Sequence, residues 1–127
     1  MSGHNNAQEW FSKADEDEKS ILAILHHREG SSSTVCFLAQ QMTEKYLKGL
    51  LIFNHVAPLK VHDLLQLETI LLGVDGRISA IHHELIVLNR YYIETRYPGD
   101  YPEFSWKEAR EAYKSAKRVK EFVLKNQ

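Results

Sequence analysis

From Trp10 to Val123 the apolar residues return at steps of three and four, and no run alternates with a period of two. Steps of that size line one stripe of an α-helix, whereas a half-buried strand needs strict alternation. No Asn-Gly or Asp-Gly turn joins two β-branched runs. The spacing predicts an all-α fold, an antiparallel bundle of four to five helices joined by short loops.

Trp10, Ala14, Ile21, Ile24 and Leu25 mark the first helix, with Asn5 or Asn6 as its cap. The gap in that stripe falls at Asp17, an acid either at the solvated edge or partly buried against a donor. The break "REGSSST" offers Gly30 for a helix end and serines for the next start. A second helix is expected from about Thr34 to Phe53, with Val35, Leu38, Met42, Tyr46, Gly49 and Phe53 as its stripe. Phe37, Leu47, Leu50, Leu51 and Ile52 widen that arc, which marks this helix as the central one and leaves Gln41, Glu44, Lys45 and Lys48 as a wet strip. On such a strip the Glu44 and Lys48 pair would contribute a few tenths of a kcal/mol, roughly.

A shorter helix begins at the cap Asp63, turns Leu64, Leu67 and Leu71 inward and stops at Gly73. A fourth is expected over about Gly76 to Thr95, with Ile78, Ile81, Leu85, Leu88 and Tyr92 in register and Pro98 preventing its continuation. "SWKE" reads as a capping box, Ser105 with Glu108, opening a last helix lined by Ala109, Ala112, Ala116, Val119 and Val123.

A chain of 127 residues fits one domain, 1–127, able to bury about two thirds of its unfolded surface without disulfides. The single Cys36 lies in an apolar run, which suits a packed thiol and a reducing, cytoplasmic setting. "MSGHNNAQEW" lacks the basic start and apolar stretch of a signal peptide, and no apolar run reaches membrane-spanning length, so no membrane partner is expected. The net charge of −1 conceals an asymmetry: Met1 to Gly30 carries six acids and three bases, Ser105 to Gln127 seven bases and three acids. The latter is either a solvated helix face or an attraction for phosphate.

Two adjacent pairs, His26 with His27 and His82 with His83, invite a metal hypothesis. Helix neighbours diverge by about 100°, so neither pair chelates one ion easily, and "HHELIVL" has Val87 where a zinc protease has its second histidine. No metal and no cofactor is expected. The glycines are dispersed, so a phosphate-cradling glycine loop is absent too.

The segment "YYIETRYPGDYPEF" is the exception to this plain composition, holding four of the six tyrosines together with Arg96. A guanidinium grips phosphate with two parallel hydrogen bonds, and phenol rings stack on bases or donate to phosphate oxygens. The alternative is amphipathic packing at the bundle end, with Arg96 paired to Glu94, Asp100 or Glu103. The candidate phosphate-binding residues are Arg96, Tyr92, Tyr97 and Tyr101, with Lys45 and Lys48 as electrostatic helpers.

"WFSKADEDEKSI", "CFLAQQMTEKYLKGLL", "VHDLLQL" and "YYIETRYPGDY", in that order, resemble the HEPN family of helical domains. The resemblance spans nearly the whole chain and implies a five-helix bundle that binds nucleotide or RNA and often forms a homodimer. It also implies a minimal nucleotidyltransferase as protein partner, in a toxin-antitoxin type of system. Many members are metal-independent endoribonucleases with an arginine followed four to six residues later by histidine. After Arg96 that window holds Tyr101 and no histidine, while Arg77 with His82 or His83 meets the spacing; on a regular helix Arg77 and His82 would diverge by about 140° unless the helix starts after Arg77 or two subunits combine. The alternatives to nucleotide binding are therefore a metal-independent endoribonuclease and a non-catalytic dimerisation or partner-binding scaffold.

Overall fold

The computed structural model describes residues 6–57, 60–94 and 103–127. They form α1 (Ala7–His27), α2 (Ser32–Phe53), α3 (Leu64–Leu72), a short 3-10 helix (Gly76–Ile81), α4 (His82–Glu94) and α5 (Trp106–Lys125). The fold is the expected all-α bundle, without strands among the described residues. α2 lies at its centre, packed against α1, α5, α4 and α3.

Local chemistry sets the boundaries. The side chain of Asn6 accepts from the Gln8 N–H at 2.7 Å, and Ser31 accepts from the Ser33 N–H at 3.0 Å. Asp63 accepts from the N–H groups of Leu65 and Gln66, and Ser105 from that of Glu108 at 3.0 Å. Each satisfies donors that a helix start leaves unpaired. Between α1 and α2 the chain reverses through Arg28 and Gly30, with φ of 56° and 90°. At Gly30 the absence of Cβ makes that conformation cheap.

The core takes every position expected of the last helix, and Leu64, Leu67 and Leu71 of α3. Other expectations need correction, among them Phe53 of the α2 stripe, which is exposed. In α1 the buried set is Phe11, Ala14, Glu18 and Ile21, so the stripe is rotated away from Trp10, because the Phe11 ring stacks on Tyr46 with centroids 5.7 Å apart. Residues 76–81 form a 3-10 helix, whose three-residue turn places Ile78 and Ile81 one above the other, both buried. At the end of α4, Tyr91 enters the core instead of Tyr92, meeting Phe104 edge-on at 5.1 Å and donating its hydroxyl to Glu108 at 2.8 Å.

A polar layer joins α1, α2 and α5. Tyr46 donates to Asp15, Tyr113 donates to Glu18 at 2.7 Å, and Lys120 reaches Glu18 at 2.6 Å. Burial, followed by the neighbouring carboxylate in each case, raises the phenols of Tyr46, Tyr91 and Tyr113 well above their ordinary value of 10.0. An unfolded chain releases those protons first, so stability is whole below about pH 10 and falls as pH rises above it. Alkaline titration followed by circular dichroism is expected to unfold the parent earlier than Tyr46→Phe unfolds, once each is normalised to its stability at pH 8.

Candidate functional site

Gln40, Glu44 and Lys48 recur at steps of four on α2, and all three are buried, at 0%, 6% and 4% exposure. Glu44 and Lys48 thus do not belong to a wet strip. A polar row on a nearly enclosed helix needs partners. Glu44 supplies most of them: its Oε2 accepts from Lys48 Nζ at 3.0 Å and sits 2.9 Å from His62 Nδ1, while its Oε1 accepts from Gln40 Nε2 at 3.3 Å.

His62 comes from the connection before α3. Gln40 Nε2 also donates to the His62 carbonyl at 3.4 Å, and Asp63 caps α3 immediately afterwards, which fixes the backbone on both sides of the ring. The imidazole then stacks on Tyr92 near the end of α4, with centroids 5.4 Å apart and planes inclined by 16°. From α1, the Trp10 ring lies 5.6 Å from the Lys48 ammonium. Four parts of the chain converge here.

The chemistry of the cluster follows from its geometry. A carboxylate on Nδ1 selects the tautomer that carries its proton there and leaves the lone pair on Nε2. Half of the His62 side chain is exposed, against 8% for that of Glu44, so the acid is enclosed and the imidazole is accessible. This is the arrangement of a histidine oriented to accept or donate a proton.

Of the candidates, the structure brings Tyr92 and Lys48 into this cluster. Lys45 lies apart, its ammonium 2.6 Å from Asp17 of α1, which settles Asp17 as a partly buried acid with a donor. Arg96, Tyr97, Tyr101, Asp100 and Pro98 lie outside the described residues. His62 escaped the sequence reasoning because nothing marks a histidine ahead of an N-cap; the available signal was the four-step polar row on an apolar helix.

A second dyad stands at the other end of α4, where His82 Nδ1 is 2.8 Å from both oxygens of the buried Glu68. Arg77 does not join it, since its guanidinium forks onto Asp75 at 2.7–3.0 Å. Between α4 and α5 a hollow of about 350 Å³ presents Arg90 and Lys107, but the carboxylates of Glu108 and Glu111 line it as well. Among the described residues no group of three or more His, Cys, Asp or Glu side chains could hold a metal, and no helix is long and apolar enough to cross a membrane.

Comparison with known proteins agrees with this architecture. The crystal structure of TT1696 from Thermus thermophilus superimposes with a TM-score of 0.81 at 28% identity, covering 97% of this chain and 99% of that one. The crystal structure of ST0689, an archaeal HEPN homologue, shares the fold with a TM-score of 0.74 at 23% identity, over 99% and 98% of the two chains. No curated protein sequence matches. Residues 7–127 match the HEPN domain model, and the chain belongs to the HEPN family.

Proposed function

We propose that the chain binds nucleotide or RNA phosphate where the connection before α3 meets the end of α4. The carrying observation is the accessible His62 ring, held by Glu44 and stacked on Tyr92. In sequence Tyr92 precedes Arg96 by four residues, Tyr97 by five and Tyr101 by nine. In this reading Arg96 grips the phosphate, and Tyr92, Tyr97 and Tyr101 line the cleft against the base or sugar. Lys48 adds positive charge beneath the site, and Lys45 contributes from a greater remove. The family resemblance supports a homodimer working beside a nucleotidyltransferase in a toxin-antitoxin pair.

Metal-independent RNA cleavage is the second reading, favoured by one observation: His62 offers an oriented imidazole that the window after Arg96 lacks. Titration of the parent and Arg96→Ala with mononucleotides and short RNAs tests the site. Loss of the guanidinium is expected to weaken binding about tenfold or more, the worth of a charge-assisted pair. Equal affinity in the two proteins removes Arg96 from the site. RNA incubated with the parent in a chelator then separates binder from nuclease, since only the nuclease shortens it.

A further inference from the structure

The His62 and Glu44 contact leads beyond the presence of a binding site to the protonation state in which it works. We propose that His62 contacts the bound phosphate as an imidazolium, so that ligand binding at this end of the bundle takes up a proton. This rests on the nucleotide-binding reading above.

Glu44 is the buried acid at His62 Nδ1, but its Oε2 also receives the Lys48 ammonium at 3.0 Å, so its negative charge is already shared with one cation. Asp63, next in the chain, directs its Oδ1 to the N–H groups of Leu65 and Gln66 and to the Asn89 amide. From α4 the ring faces the Tyr92 phenol face, and from α1 the neutral Trp10 indole covers Lys48. A second anion would complete a pair of cations facing a pair of anions. An incoming phosphate supplies it.

Geometry decides where that anion meets the ring. Nδ1 is taken by Glu44, and Nε2 has no hydrogen-bond partner among the described residues. A phosphate oxygen can accept from Nε2 only if that nitrogen carries a proton, because the neutral tautomer fixed by Glu44 presents a lone pair there. The Tyr92 stack holds the ring plane, and a flip within that plane would break the Nδ1 contact with Glu44, so Nε2 is the nitrogen offered to the ligand. Proton uptake is therefore the condition for a direct contact. The proton comes from solvent buffer, and no covalent bond changes.

Calorimetric titration tests this with two phosphodiester probes that do not themselves titrate near neutral pH, 3′,5′-cyclic AMP and a 2′-O-methylated pentauridylate that cannot be cleaved. Each is run near neutral pH in buffers of different ionisation enthalpy, against the parent, His62→Gln and His82→Gln. His82 is a matched control: it has the same carboxylate contact, but sits ten residues from Tyr92 along α4, about 15 Å by helical rise. In the parent, observed enthalpy is expected to vary with buffer in proportion to roughly half a proton or more. Between pH 8 and pH 6 its affinity is expected to rise about tenfold, within the ceiling of tenfold per pH unit for one linked proton. His62→Gln should lose both effects while His82→Gln keeps them, and thermal melts establish that the variants are folded. A parent that binds without buffer dependence, or a His62→Gln that retains it, overturns the proposal and leaves the binding site standing. Failure of the parent to bind either probe overturns the site and this proposal together.

Discussion

Glu44→Leu is expected to destabilise the protein by about 3–5 kcal/mol, the cost of leaving a buried charge without its counter-charge. The Lys48 side chain is 5% exposed, and Glu44 Oε2 at 3.0 Å is its anionic partner. Removing that partner also takes one of the two acceptors of Gln40 Nε2 and the carboxylate at His62 Nδ1. Denaturant melts would show a midpoint loss of that size. The double variant Glu44→Leu with Lys48→Met removes both charges and should return most of the stability, because two apolar chains replace an ion pair that had to be desolvated. A single-variant cost below about 1 kcal/mol, the range of an exposed pair, would show that water reaches the ammonium after all.

Gly49→Ala should also destabilise, against the local preference of a helix. In an exposed helix that change is worth about 1 kcal/mol in favour of alanine. At Gly49 an added Cβ would lie 2.4 Å from Phe11 Cε1 and 2.8 Å from Cδ1. Phe11 is 3% exposed and stacked on Tyr46, so its ring cannot turn aside without breaking that contact. Overpacking of this kind costs about 1–3 kcal/mol beyond what propensity returns. Equilibrium unfolding of Gly49→Ala, alone and with Phe11→Leu, checks the cause: the smaller partner should recover part of the loss. An increase in stability on Gly49→Ala would mean that Phe11 has room to move.

The two variants mark where local pattern stops being informative. Glu44 and Lys48 have the spacing of a solvated helix pair, and Gly49 follows the apolar period of α2 without any sign of what lies against it. Helical periodicity states which residues share a face, since that depends on the geometry of one helix. It does not state which element covers the face. The rotation of α1 from Trp10 to Phe11 has the same origin, because both aromatics lie close to the stripe and the Gly49 and Tyr46 surface of α2 selects between them. At the end of α4 two adjacent tyrosines are equivalent by type, yet Phe104 and Glu108 draw Tyr91 inward while His62 receives Tyr92.

The helical class, the N-caps Asp63 and Ser105, and the apolar stripe of α5 were determined by sequence alone, with Asn6 one of two candidate caps for α1, since each depends on residues within a turn or two of one another. The candidate tyrosines and Arg96 were legible as a concentration of chemistry, and the likeness of four segments to a family supplied its meaning. The tertiary structure alone decided that Glu44 and Lys48 are buried, that Lys45 turns to Asp17, and that His62 stands between Glu44 and Tyr92. Those contacts join residues 18 to 30 positions apart on different elements, and the closure of the bundle brings them together.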